Sequence, residues 1–222
     1  MTILCQDSRI LVCLKPAGVV SVDEPGGMPA LLRQALGDAH ACVRTVHRLD
    51  AAAGGVMVFA RSRMASSILS QQIRERKFQK EYLAVICGQP DASEGTLTMR
   101  LGYDRARRMA YAAQPDDPAG KDAVLDYRVL GVREDMSLVR VRLHTGRTHQ
   151  IRAQFALCGH PLLGDRKYGG AGAESLALWS CKIGFYHPQT GEWVSFSALP
   201  PKTAPWDAFS EINWTKGEKS NQ

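Results

Sequence analysis

A chain of 222 residues, 45% hydrophobic and 23% charged, has the make-up of a globular protein, with core enough for one large domain or two packed halves. No apolar run approaches the roughly 20 residues of a membrane span, and Met1-Thr2-Ile3-Leu4-Cys5-Gln6-Asp7 lacks the basic-then-apolar layout of a signal peptide. The expectation is a cytoplasmic protein without membrane contact. Six scattered cysteines with no Cys-x-x-Cys pair fit small buried hydrophobes rather than disulfides or a zinc site, and a formal charge of +6 suits a polyanionic partner.

In chain order, Ile10 to Leu14 reads as a short strand that Lys15-Pro16-Ala17-Gly18 turns. Met28 to Leu36 carries Leu31, Leu32 and Leu36 at helical spacing, with Gly37 as its stop. Next comes His47-Arg48-Leu49-Asp50, followed by Ala51-Ala52-Ala53-Gly54-Gly55 and the apolar strand Val56 to Ala60. If residues 46–50 are extended, Arg48 and Asp50 share one face, and His47 and Leu49 the other. A nearby guanidinium favours a charged carboxylate. The small residues that follow are expected to let a large, flat partner approach the backbone.

Met64 to Arg76 forms a helix with Met64, Ile68, Leu69 and Ile73 along one stripe, and Arg74, Arg76 and Lys77 complement its C-terminal dipole. Lys80 to Ile86 is the next strand, followed by short strands at 95–101, 108–113 and 123–132. Ser137 to Leu143 alternates, with Leu138, Arg140 and Arg142 on one face. A helix from about Thr148 to Cys158 has Thr148 as N-cap, Ile151 and Phe155 docking it, and Gly159 and Pro161 ending it. Its first N–H groups, beside Arg147 and His149, suit a phosphate. Leu176 to Tyr186 and Trp193 to Phe196 flank His187-Pro188-Gln189-Thr190-Gly191 as a hairpin, and the tail after Phe209 looks frayed. Strands outnumber helices and are joined by short links, which indicates an α+β fold with a largely antiparallel or mixed sheet.

Over roughly residues 3–200 the chain resembles the RluA-type family of RNA pseudouridine synthases. The resemblance rests on Leu14-Lys15-Pro16-Ala17-Gly18, His47-Arg48-Leu49-Asp50, Lys80-Glu81-Tyr82-Leu83-Ala84, Thr145-Gly146-Arg147-Thr148-His149-Gln150-Ile151-Arg152, and Gly159-His160-Pro161-Leu162-Leu163-Gly164-Asp165 with Tyr168-Gly169. It implies a pseudouridine synthase catalytic domain over residues 1–209, with a central RNA-binding cleft and no S4 domain, and a tail at 210–222. It further implies an isomerase that needs no metal or organic cofactor and acts, as a monomer, on a uridine in a ribosomal or transfer RNA stem-loop. By the same resemblance Asp50 is the catalytic aspartate, Tyr82 lies against the target base as a candidate for C5 proton removal, and Arg152 pairs with Asp50. Arg48 and Arg147 work at the RNA backbone or the gap left by the extruded base. His149, Arg140, Arg142 and Lys80 complete the RNA-binding set, and Leu178 packs against the tyrosine.

Three positions depart from the family pattern. Ala53-Gly54 stand where Thr-Ser is usual, and Trp179 where histidine is common. The lost hydroxyls leave a non-catalytic RNA-binding relative of the same fold as the alternative reading. A metal hydrolase built on His47, Asp50, His144, His149, His160 and Asp165 is disfavoured, because these residues lack paired zinc-site spacings.

Overall fold

Apolar runs bounded by turns set the frame of the computed structural model, which describes residues 1–212 and 214. Two compact units result: one is 1–82, 142–145 and 178–200, the other 83–141, 146–177 and 201 onward.

In the first unit, Ile3–Gln6 (β1), Ile10–Lys15 (β2), Gly54–Ala60 (β4) and Leu178–Tyr186 (β10) lie side by side in that order. Arg44–Thr45 (β3) also pairs with β4, and Trp193–Ser197 (β11) pairs with β10. β10 runs parallel to β4, whereas β1–β2, β2–β4 and β10–β11 are antiparallel, so the sheet is mixed. Every residue of β4 is buried, as expected of a strand covered on both faces. Val56 and Val58 join Ile10, Val12, Ile183 and Phe185 in a core. Burying each such side chain contributes about 1.5–3 kcal/mol.

Met28–Leu36 (α1) stops at Gly37, whose φ of 66° supplies the left-handed C-cap. Arg63–Arg74 (α2) starts at Ser62, whose Oγ accepts the Ala65 N–H at 3.1 Å. That start sets the helix phase so that Ala65, Leu69 and Gln72 face inward, while Met64, expected in the stripe, is exposed. Gln72 then ties α2 to β10: its amide donates to Tyr186 O at 2.7 Å and accepts the Tyr186 N–H at 2.8 Å.

In the second unit the strand order is Gln79–Cys87 (β5), Met136–Leu143 (β9), Lys121–Arg133 (β8), Glu94–Asp104 (β6) and Met109–Ala112 (β7). The division between units falls inside β5, after Tyr82, and inside β9, after Val141. Gln150–Leu157 (α3) buries Ile151 and Phe155 as expected. Its start differs from the expected one. Thr148 is not the N-cap; His149 is, with φ 56° and no side-chain cap bond. Gln150 takes over the local bonding: its Oε1 accepts the Arg147 N–H at 3.0 Å and its amide donates to Val124 O at 3.1 Å. Gln154 adds donations to Leu97 O and Ala123 O, so buried glutamines help to anchor the helix alongside its apolar residues. Trp206–Phe209 forms a 3-10 turn; of the tail expected at 210–222, Asn213 and residues 215–222 lie outside the described residues.

Among the described residues, eleven strands and three α-helices, with antiparallel pairs in the majority, make this the α+β fold expected from the sequence.

Candidate active site

Asp50 ends a segment that bends at Val46 and His47 and leads from β3 to the turn before β4. Burial alternates along it as the spacing requires: His47 and Leu49 are buried, Arg48 is exposed, and Asp50 is half-buried. The backbone on either side of Asp50 is held by side chains. Ser21 Oγ accepts the Leu49 N–H at 3.0 Å and donates to Leu49 O at 2.8 Å. His47 Nε2 accepts the Val58 N–H at 3.2 Å, which places its ring proton on Nδ1. Burial, and secondly the Lys80 charge, hold that imidazole well below its ordinary pKa, so it stays neutral. Beyond Asp50, Ala51 O accepts from Lys15 Nζ at 3.0 Å and from the Gly18 N–H at 2.8 Å.

Lys15 has no solvent exposure. Burial pushes its ammonium down to about 8, against the opposing pull of the Asp50 carboxylate. Tyr82, on β5, is buried too, and its phenol is pushed above its ordinary range by burial first and then by the charges of Asp50 and Cys181. Asp50, Tyr82 and Lys15 are therefore electrostatic neighbours within the first unit. Leu178 is buried at the start of β10, and Arg142 is exposed near the end of β9.

The glycines after Asp50 do not offer an open approach, contrary to the sequence reading. A Cβ on Gly54 would fall 2.6 Å from Cζ3 of Trp179, and one on Gly55 2.3 Å from Ser180 O. Register explains this, because Trp179 pairs with Gly54 and Ser180 with Gly55. The missing side chains make room for β10. Gly54 and Trp179 are thus one packing exchange: the Trp179 ring lies where a residue-54 side chain would extend. Its indole Nε1 is fixed by donation to Ala198 O at 2.9 Å.

Arg152 is the centre of a cluster in the second unit. It is buried, and its guanidinium forks onto Asp165, Nε to Oδ2 and Nη2 to Oδ1, each at 2.7 Å. The Tyr168 ring lies 5.1 Å from the Arg152 guanidinium carbon. The Tyr168 hydroxyl accepts the Ala110 N–H at 2.6 Å and meets His149 Nδ1 at 3.0 Å. His149 and Arg152 thus converge on one tyrosine, although His149 precedes the helix. Arg147 donates from Nε to Asp122 O at 2.8 Å, and Arg140 is half-buried on β9.

Sequence reasoning assigned no site role to Lys15 or Tyr168, and named Asp165 only in the disfavoured metal reading. All three stand in the quoted motifs, which was the available signal.

A family model described as RNA pseudouridylate synthase matches residues 9–157. Over 212 residues the chain is 36% identical to a Bacillus subtilis (strain 168) protein named uncharacterized RNA pseudouridine synthase YhcT, covering 90% of this chain and 69% of that one. It is 34% identical over 209 residues to the dual-specificity RNA pseudouridine synthase RluA of Pasteurella multocida (strain Pm70), covering 90% and 93%. The human RNA pseudouridylate synthase domain containing 1 has a similar fold, with a TM-score of 0.79 at 23% identity over 93% of this chain and 86% of that one. On a family match across more than half its length and relatives of this identity along nine-tenths of it, the chain belongs to the RluA-type family of RNA pseudouridine synthases, isomerases that convert uridine in RNA to pseudouridine.

Proposed function

We propose that this isomerase acts through Asp50 on a uridine in a ribosomal or transfer RNA stem-loop, as a cytoplasmic monomer and without metal or organic cofactor. The observation that carries the reading is the cluster in the first unit, where the Asp50 charge bears on the buried Tyr82 phenol and the buried Lys15 ammonium. The reaction is an internal rearrangement. The C1′–N1 bond breaks, uracil turns, C1′ bonds to C5, the C5 proton leaves and N1 gains one, so no atom comes from a cofactor. A carboxylate can attack or stabilise the electron-poor sugar carbon, or assist its deprotonation. Extruding the nucleotide costs a few kcal/mol, and stacking on Tyr82, worth roughly 1–3 kcal/mol, offsets it.

In this reading Arg152 keeps the guanidinium role that the family resemblance gives it, and its fork onto Asp165 fixes the plane of that guanidinium. Arg48 and Arg142, both exposed, contact RNA together with Arg147, His149 and Arg140. Leu178 packs at the site. Asp50→Asn removes the charge and keeps the shape, so pseudouridine formation on total cellular RNA should vanish while RNA affinity is kept. An active Asp50→Asn enzyme would show that the reaction runs through another group.

A further inference from the structure

Lys80 is half-buried, and it differs from the paired cations of the protein. Lys77 meets Glu75 at 2.8 Å, Arg33 meets Asp23 at 2.6 Å, Arg128 meets Glu94 at 2.7 Å, and Arg152 has its Asp165 fork. The buried Lys15 ammonium donates to two carbonyls, Pro16 O and Ala51 O. Among the described residues the Lys80 side chain has neither a hydrogen bond nor a carboxylate partner. Its close neighbour is the Phe78 ring, whose centroid lies 5.4 Å from Nζ.

The electrostatics agree with that geometry. Burial alone pushes the Lys80 ammonium down to about 8, with no charged group restoring it. The titratable group facing it is His47, on the segment that leads into Asp50, and that imidazole is buried and neutral. The Phe78 ring offers only a modest cation–π contact. A cation drawn partly out of water without an acceptor is unfavourable, and an arriving anion reverses the balance. An anion can arrive, because the residue as a whole keeps partial exposure. Lys80 and Tyr82 stand two apart on β5, hence on one face and about 6.6 Å apart along the strand.

We propose that Lys80 docks one phosphodiester of the RNA, next to the nucleotide that Tyr82 contacts. The identity of the anion rests on the isomerase reading above; the need for an anion does not. Lysine binds phosphate as a compact point charge, and only while protonated. Bound phosphate restores the ammonium, so RNA affinity is greatest below about pH 8 and weakens as pH rises through that value. Arginine at this position stays charged throughout and removes that pH dependence.

The test uses the full chain and a uridine-containing stem-loop RNA, with Kd read by fluorescence anisotropy across salt and pH, and pseudouridine formation read in single turnovers. Lys80→Met should weaken binding and lower the slope of log K against log salt by about 0.7–0.9, the share of one phosphate. Its loss should fall on KM, with conversion restored at high RNA. Lys80→Arg should keep the salt slope and flatten the decline in affinity between pH 7 and 9. A Lys80→Met salt slope equal to wild type overturns the proposal. So does loss of single-turnover conversion in both variants at unchanged Kd, which would make Lys80 a proton-transfer group. Wild-type protein that makes no pseudouridine while Lys80→Met still loses slope would strike the isomerase reading and leave the anion site standing.

Discussion

Gly54→Ser restores a hydroxyl usual in the family and should nevertheless destabilise this protein. The new Cβ falls 2.6 and 2.8 Å from two carbons of the Trp179 ring and 3.3 Å from Lys15 O. Contacts below 3.0 Å require movement, and neither neighbour is a loose chain end. The ring is pinned by its 2.9 Å donation to Ala198 O, and Lys15 belongs to the central pairing of β2 with β4. Overpacking of this kind costs about 1–3 kcal/mol, and swinging the ring away would add about 0.5–1.5 kcal/mol for the lost hydrogen bond. Backbone conformation does not add to this, since Gly54 lies outside the positive-φ region. The stiffer unfolded chain returns about 0.4–1 kcal/mol. The net expectation is a loss of about 1–2 kcal/mol by these terms.

The double-mutant cycle isolates the cause. Trp179→His alone should be destabilising, because it leaves a gap over Gly54. The pair Gly54→Ser with Trp179→His fills that gap, and its loss should fall short of the sum of the single losses by about 1–2 kcal/mol, within the range seen for residues in contact. Urea unfolding followed by circular dichroism measures all four proteins, with equal m-values as the check that only the native state has changed. Additive losses, or a Gly54→Ser protein as stable as wild type, would refute the account of Gly54 and Trp179 as one packing exchange.

Two other substitutions follow from the buried groups. Asp165→Asn removes the carboxylate charge from the buried fork with Arg152 and should cost about 3–5 kcal/mol in urea unfolding; a loss below about 1 kcal/mol would mean that the fork carries little. Because burial and the Asp50 charge hold Tyr82 protonated above its ordinary range, its phenolate is absent at neutral pH and across the pH range below 10. On the reading that Tyr82 assists removal of the C5 proton, Tyr82→Phe should slow tritium release from C5-labelled uridine RNA. In wild type that release should not climb toward pH 10; a tenfold rise per pH unit would show that a phenolate is the base.

The sequence carried the frame of the fold because periodic apolar segments need no distant information. Ile10 to Leu14, Met28 to Leu36 with Gly37, and the hairpin around His187 to Gly191 are each determined by local spacing and turn chemistry. The start of α3 was not legible. Thr148 is the better N-cap by residue type, but His149 adopts the left-handed conformation that begins the helix, and a histidine there carries no local signal. Lys15-Pro16 reads as a turn, and only the packed sheet reveals a lysine with no exposure. The Arg152–Asp165 fork joins residues thirteen apart through a loop whose path no period describes. Gly54-Gly55 were misread for a related reason: what covers a glycine depends on the strand beside it, here β10, more than 120 residues later.

The segment around Asp50 shows where stability is given up to fix geometry. Ser21 holds residue 49, Lys15 holds residue 51, and His47 holds its own end of the segment against β4. Two of these supports are costly in themselves. Lys15 is an ammonium with no exposure, depressed to about 8, and His47 carries a buried Nδ1 with no hydrogen-bond partner. An apolar side chain at either place would bury more favourably, yet it could not grip the backbone on both sides of one carboxylate. On the proposed reading Asp50 is a reacting group, which must be held to within about 0.5 Å of its productive position, and flexible loop backbone does not meet that limit unaided. The unfavourable burial of Lys15 and His47 is thus the energetic counterpart of a rigid Asp50, as expected where local stability rules are broken at a functional site.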